Sequence, residues 1–209
     1  MILTIFGATG ITGRQLVKQA LLKGHTVRAF GRNVYATDFF KHDNLQLIQG
    51  ALFDEKDVNK AIAGSDAVLS VIGGAFDGTD KSRSLGMKNI IEQMKATAVS
   101  RIIALGGMGV LPAPDGSLLM DAKNYPEEYL PVGREHLKAY ELLKASALNW
   151  TFVCAPDLVN AEATGSFVTA AEENPSGSKF YINTGDLALF MLNELYKNNF
   201  VKKRVGIGN

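Results

Sequence analysis

The strongest constraint on the fold is a glycine-rich segment that directly follows the first apolar run. Residues 2–6 read Ile-Leu-Thr-Ile-Phe and indicate a buried strand; Gly-Ala-Thr-Gly-Ile-Thr-Gly follows, with glycines at Gly7, Gly10 and Gly13. Gly7 permits a tight turn, Gly10 lets the backbone approach a pyrophosphate, and Gly13 lets the next helix pack on the strand. A helix N-terminus also offers unpaired N–H groups to phosphate. This order of elements predicts a dinucleotide site, and the alternative is a plain strand-to-helix turn.

Short apolar runs alternate with amphipathic stretches as far as about residue 155. We predict strands at 2–6, 26–30, 45–49, 67–72, 101–105 and 150–155. We predict helices at 13–23, from about 55, at 84–95 and at 134–146. Continuous apolar strands separated by helices are typical of a parallel sheet that is covered on both faces. The sequence therefore predicts an α/β fold, a Rossmann-like, doubly wound, mostly parallel sheet with helices on both faces.

We expect one domain over residues 1–209, with a cofactor-binding core at 1–155 and a C-terminal part at 156–209 that lines the cleft. Four of the six prolines fall between residues 112 and 131, which predicts a loop or short turns there. Residues 156–178 are polar and show no regular pattern. A short strand at 179–183, a helix from Asp186 and a last strand at 203–207 complete the prediction.

Composition and charge exclude several classes of function. The chain has 22 basic and 21 acidic residues, and this net charge of +1 lacks the basic surface typical of proteins that bind nucleic acid or anionic lipid. No apolar run approaches the roughly 20 residues of a membrane span, and the apolar N-terminus lacks the basic leader of a signal peptide. A single cysteine, Cys154, is typical of a reducing compartment and excludes a cysteine-cluster metal site. We expect a cytoplasmic monomer or homodimer with no metal, nucleic-acid or membrane partner.

The end of the second predicted strand indicates which dinucleotide binds. An NAD site usually places Asp or Glu there for the ribose 2′-hydroxyl, whereas an arginine suits a 2′-phosphate. This chain has Gly31-Arg32-Asn33 and no acidic residue until Asp38. Arg32 can donate two N–H bonds to phosphate and stack on adenine. We therefore predict NADP(H) in preference to NAD(H), the alternative being that Arg32 is a solvated surface residue.

Further candidates follow the later strands, because the ligand of an open α/β sheet crosses the carboxyl ends of its strands. Phe53 and Asp54 are expected near the adenine, and the Gly73-Gly74 pair near the nicotinamide and its ribose. For the glycine pairs the alternative is simple turn chemistry. The predicted cofactor-binding set is Gly7, Thr9, Gly10, Ile11, Thr12, Gly13, Arg32, Asn33, Phe53, Asp54, Ile72, Gly73, Gly74, Gly106 and Pro156.

Together these motifs resemble the atypical short-chain dehydrogenase/reductase family. The resemblance rests on GATGITG from residue 7, GRN at 31–33, the segment 49–74 that ends in Gly-Gly, HLKAYELLKASALNWTFVCAP at 136–156 and GDLA at 185–188. Within that family the chain is similar to NAD(P)H-binding proteins of the biliverdin-IXβ reductase/flavin reductase type and to bacterial NADH-flavin reductases. The resemblance implies a seven- or eight-stranded Rossmann sheet, a nicotinamide cofactor and a small C-terminal part beside the substrate.

The chain departs from the family pattern where catalysis is expected. Family members usually carry a Tyr-x-x-x-Lys pair, and this chain has Arg134 four residues before Lys138. The usual serines after strand five are replaced by Gly106 and Gly107. The Arg-Pro that usually ends strand six becomes Ala155-Pro156, so the resemblance leaves Pro156 to shape the nicotinamide edge.

His136 is the candidate catalytic residue, because the flavin-reductase relatives also carry a histidine at this point of the helix. An imidazole with the reference pKa of about 6.5 can give or accept a proton near neutrality. The alternative is a histidine on the helix surface.

The leading hypothesis is an NADPH-dependent reductase that transfers hydride to a flavin or a similar planar acceptor. Hydride transfer depends chiefly on positioning, and a flavin can take its proton from solvent or from His136. The flavin would be a substrate, a small-molecule partner, and not a bound prosthetic group. The alternative is a non-catalytic NADP(H)-binding redox sensor or regulatory protein of the same superfamily. A nucleotide-sugar epimerase or dehydratase is disfavoured because the chain lacks the larger substrate lobe of such enzymes.

Overall fold

The structure is a computed structural model that describes residues 1–209. The five helices are α1 (Ile11–Leu22), α2 (Glu55–Ile62), α3 (Ser82–Ala96), α4 (Leu130–Ala145) and α5 (Thr184–Lys197). The strands are β1 (Ile2–Phe6), β2 (Thr26–Gly31), β3 (Leu45–Gln49), β4 (Ala67–Ser70), β5 (Arg101–Gly107), β6 (Asn149–Ala155), β7 (Asp157–Val159), β8 (Val168–Ala171), β9 (Tyr181–Asn183) and β10 (Lys203–Gly208).

Eight strands form one sheet in the order β3-β2-β1-β4-β5-β6-β10-β8, and only β8 runs antiparallel to its neighbour. The strand order reverses at β1, whose Phe6 is in register with Phe30 of β2 on one side and with Ser70 of β4 on the other. In doubly wound sheets a ligand binds outside the carboxyl ends of the strands at this reversal point. The predicted Rossmann-like α/β fold is confirmed, with eight strands in the sheet.

Both faces of the sheet are covered by helices. Helix α1 packs against α5 on one face, and α3 packs between α2 and α4 on the other. Leu3 and Ile5 of β1 belong to the first buried cluster and Phe6 to the second, because successive side chains of a strand point to opposite faces. Since both faces are buried, the strands read as continuous apolar runs and not as alternating ones.

Several helices begin earlier in the chain than the sequence predicts. Helix α1 begins at Ile11, two residues before the predicted start, and α5 begins at Thr184. Helix α4 begins at Leu130, four residues early, so that Pro131 lies in its first turn and not in the preceding loop. Proline is accommodated there because the first N–H groups of a helix have no partner inside the helix.

The polar stretch 156–178 contains two strands that the sequence analysis missed. β8 closes the main sheet beside β10, while β7 pairs with β9 in a separate two-stranded sheet. β7 is exposed along its whole length and has only three residues, Asp-Leu-Val, which are too few to show the periodic pattern on which a strand prediction depends. The predicted strand at 179–183 is limited to β9. None of the helices combines the length and apolar character that crossing a bilayer requires.

Candidate functional site

The glycine loop joins β1 to α1 in a conformation that depends on glycine. Gly7 has a φ of +81°, in the left-handed region that glycine adopts without strain. A Cβ on Gly7 would collide with the carbonyl of Val71, and one on Gly13 with the carbonyl of Gly7. A Cβ on the exposed Gly10 would meet only the Gly7 oxygen, at 3.4 Å. The loop is thus packed on its inner side and open above Gly10.

The first turn of α1 carries the features of an anion site. No side chain caps the helix, and no acidic residue lies in its first turn, so its first N–H groups stay available to a ligand. Thr12 is 4% exposed, and its Oγ1 has no hydrogen-bond partner. An orphaned buried hydroxyl beside an open glycine loop fits a bound pyrophosphate. Thr9 lies in the same loop, and the exposed Ile11 is the first residue of α1.

Two arginines lie at the β2 side of this loop. Arg32 directly follows β2, is exposed and has no hydrogen bond or ion pair from its side chain. Asn33 beside it is also exposed. Arg14 of α1 is exposed and donates from Nε to the Thr9 carbonyl at 3.1 Å. The sequence analysis missed Arg14, although it directly follows the last glycine of the loop. Neither guanidinium is paired with a carboxylate, so both can bind phosphate.

The predicted adenine residues lie between β3 and α2. Phe53 is 58% exposed, which leaves its ring accessible to a ligand. Asp54 caps α2, where its Oδ1 accepts the N–H of Asp57 at 2.9 Å. The local chain thus explains Asp54 as a helix cap, and its contact with a cofactor stays a prediction.

The residues after β4 differ from one another in packing. Ile72 is half-buried, and Gly73 is exposed, with no atom within 4 Å of a Cβ placed on it. A Cβ on Gly74, in contrast, would lie 2.5 Å from Oδ2 of Asp80. Gly73 therefore leaves open space at the sheet edge, whereas a side chain at Gly74 would have to displace the carboxylate of Asp80.

The end of β5 shows why the usual serines are absent. A Cβ on Gly106 would collide with the ring of Phe152, and one on Gly107 would lie 3.0 Å from Cδ2 of His136. Aromatic rings therefore fill the space that a serine side chain would occupy. Packing accounts for Gly106, and its predicted contact with cofactor stays a prediction. Pro156 is half-buried and follows β6 at the same edge.

Helix α4 places His136 against Gly107, in the middle of the sheet edge. Burial, and to a smaller extent the charge of Arg83, lower the pKa of His136 to about 3, against the opposing charge of Glu135. The imidazole is therefore neutral at pH 7. The expectation that His136 titrates near neutrality is wrong, because the ring is desolvated where it packs on Gly107 and lies near a cation, although the residue keeps some exposure. His136 is half-buried and not fully solvated, and its catalytic role stays a prediction.

Glu135 anchors the polar contact between α3 and α4. Its buried carboxylate accepts a hydrogen bond from Ser84 Oγ at 2.6 Å and lies 3.2 Å from Lys138 Nζ and 3.4 Å from Lys81 Nζ. Burial alone would raise the pKa of Glu135, but the Ser84 bond and the two lysines hold it below its ordinary value. Lys138, which the resemblance suggests as the counterpart of the family lysine, makes its ion pair with Glu135 here.

Comparisons with known proteins agree with this geometry. A family model described as NAD(P)H-binding matches residues 7–198. The uncharacterized Bacillus subtilis protein YwnB is 30% identical over 201 residues, which cover 91% of this chain and 90% of that protein. A Streptococcus pneumoniae structure, provisionally named an NADH-flavin reductase, superposes with a TM-score of 0.84 at 28% identity and covers 100% of this chain and 99% of its own. The photosystem II assembly factor Ycf39 of Cyanophora paradoxa is 28% identical over 99% of this chain but only 64% of its own length.

Proposed function

The chain belongs to the NAD(P)H-binding family, and on this premise we propose that it is an NADPH-dependent reductase that passes hydride to a flavin or similar planar acceptor. Family and fold together give an NAD(P)H-binding, oxidoreductase-like protein. The preference for NADPH is supported by Arg14 and Arg32, two exposed guanidiniums with no carboxylate partner.

The choice of acceptor rests on the absence of a serine or tyrosine proton donor at the positions where the family carries them, at the carboxyl ends of the strands. The rings of Phe152 and His136 fill the serine positions, and Arg134 replaces the tyrosine. Carbonyl reduction benefits from a proton donor at the carbonyl oxygen, and neither Arg134 nor a neutral His136 is suited to that role. A flavin or quinone can take its proton from solvent after hydride arrives, so positioning alone suffices.

Each part of the site has a role in this proposal. NADPH, when bound, supplies the hydride. The glycine loop and the first turn of α1 would hold the pyrophosphate, and Arg32 with Arg14 the 2′-phosphate. Gly73 leaves room for a ring against the backbone. His136, held neutral beside Gly107, can orient the acceptor with a hydrogen bond but brings no extra positive charge.

NADPH oxidation with a panel of acceptors tests the proposal. We expect turnover with riboflavin, FMN, FAD or a simple quinone under anaerobic conditions, faster with NADPH than with NADH. Binding of NADPH without oxidation by any acceptor would overturn the reductase proposal.

One observation favours a second candidate, a non-catalytic NADP(H)-binding sensor. A relative that matches nearly the whole chain is named an assembly factor and not an enzyme. A sensor needs the same cofactor cradle and no hydroxyl acid. The sensor hypothesis predicts tight NADPH binding and no turnover with any acceptor in the panel.

A further inference from the structure

An exposed phenylalanine lies in a well-anchored segment just after the Gly73-Gly74 pair that we predict to lie near the nicotinamide. Phe76 is 61% exposed and lies in the segment 74–80, which follows β4. An isolated exposed apolar residue on a loop needs no explanation. What distinguishes Phe76 is the set of contacts that fix the backbone on both sides of it.

Arg83 of α3 supplies the main contacts. It donates from Nη1 to the carbonyl of Ala75 and from Nη2 to the carbonyl of Gly74, each at 3.1 Å. Its Cζ lies 5.8 Å from the centre of the Phe76 ring, within the range of a cation–π interaction. Arg83 itself is 6% exposed, and its Nε has no hydrogen-bond partner. A buried guanidinium thus holds the two residues before Phe76 and also contacts its ring.

The far end of the segment is fixed as well. Lys81 donates from Nζ to the carbonyl of Gly78 at 2.6 Å, and a Cβ on Gly78 would lie 2.9 Å from Cβ of Pro131 in α4. Asp80 accepts the N–H of Ala75 at 3.3 Å. The segment is therefore bound to α3 and α4, so the Phe76 ring is presented on fixed backbone.

The same guanidinium connects Phe76 to the centre of the site. The charge of Arg83 acts on His136, and His136 lies against Gly107 at the end of β5. Arg83 therefore lies between Phe76, whose ring it contacts, and the neighbourhood of His136, on which its charge acts. Gly73, three residues before Phe76 in the same segment, opens onto free space.

We propose that Phe76 is the stacking residue for the ring system of the acceptor and that Arg83 is the positioning residue that holds Phe76 in place. This inference rests on the proposed function, because it concerns the acceptor of the same site. A fixed aromatic face recognises a flat, conjugated ring and is indifferent to its substituents. The acceptor class is therefore a planar heteroaromatic or quinone, bound by its ring and not by a side chain.

Binding of riboflavin to the NADP⁺-loaded protein tests this without requiring turnover, with quenching of flavin fluorescence as the readout. We expect Phe76→Ala to weaken riboflavin about tenfold, Phe76→Tyr to restore it, and both to leave NADP⁺ affinity unchanged. Tyr196→Ala is the control, because Tyr196 is an equally exposed ring (60%) near the C-terminal end of α5, at the opposite edge of the sheet.

Arg83→Lys keeps the charge but cannot donate to both carbonyls in the same way. It should also weaken riboflavin, and combining it with Phe76→Ala should add little, because both changes remove one platform. Equal riboflavin affinity in Phe76→Ala and the parent, or no riboflavin binding by the parent, would overturn the inference. NADPH oxidation by a quinone would still support the reductase in either case, so the two failures are distinguishable.

Discussion

Arg32 and His136 lie on the same sheet edge but in opposite electrostatic settings. Arg32 is exposed and unpaired beside the glycine loop, where an anion would complete its bonding. His136 is half-buried and neutral near a buried guanidinium, where a further positive charge would be unfavourable. These two side chains therefore divide the edge into a part suited to phosphate and a part suited to an uncharged ring.

Arg32→Ala should weaken NADPH by about ten- to a hundredfold and leave NADH nearly unchanged, since a charge-assisted bond to phosphate contributes about 1.5–3 kcal/mol. Titration calorimetry with each cofactor measures this directly. Lys203→Ala, which removes an exposed cation at the start of β10, is the control and should change neither affinity. Equal weakening of NADPH and NADH would show that Arg32 does not read the 2′-phosphate.

His136 should make the folded state less stable in mild acid. Because its pKa is about 3 in the folded chain and about 6.5 when unfolded, only the unfolded chain binds this proton as pH falls below about 6.5. The free energy of unfolding, measured in urea at pH 7, 6 and 5, should fall across this range. The decline should be smaller in His136→Gln, while His42→Gln, at an exposed histidine, keeps the parental slope. An NMR titration of His136 with a midpoint near 6.5 would contradict this account.

At the scale of elements, the start of α5 organises the C-terminal part of the chain. The fully buried Asp186 accepts hydrogen bonds from the N–H groups of Thr164 and Gly165, at 2.8 and 2.7 Å. It also accepts from the side chains of Asn183 and Asn209, at 3.2 and 3.0 Å. Burial raises the pKa of Asp186, but these bonds outweigh that effect and hold it below its ordinary value. One carboxylate thus joins a loop, β9 and the chain end to α5.

Asp186→Ala should lower the free energy of unfolding by about 3 kcal/mol, because several buried donors lose a charged acceptor at once. Urea denaturation at pH 7 measures the change. Asp38→Ala removes an exposed carboxylate that has no hydrogen bond, and it should have little effect. The account fails at this scale if the two variants have equal stability.

At the scale of the whole molecule, the parts of the fold that follow from local pattern could be predicted from the sequence. The glycine loop and the apolar runs that form the central strands are examples, because each is recognised from residues that are adjacent in the chain. β7 could not be predicted, because it is exposed and its pairing with β9 is long-range. The early start of α4 was missed because Pro131 reads as a loop residue when its tertiary setting is unknown.

The candidate site also has one part that local sequence predicts and one part that depends on long-range contacts. The glycine loop of the predicted cofactor side could be identified from one continuous segment around Gly10. The group formed by Arg83, Phe76 and His136 could not, because α3, α4 and the end of β4 meet only when the sheet is assembled. Sequence reasoning found His136 through its family position but gave it the pKa of a solvated imidazole, since burial by distant residues leaves no trace in the sequence.

An anaerobic single-turnover reaction tests the central claim, hydride transfer from NADPH to a planar acceptor, most directly. The NADPH-loaded protein is mixed with riboflavin, and the absorbance of both species is followed together. We predict that NADPH loss and flavin reduction occur at the same rate and that both slow when the transferred hydrogen of NADPH is replaced by deuterium. Bound NADPH that persists unoxidised with riboflavin and with a quinone would contradict the claim and leave a protein that only binds the cofactor.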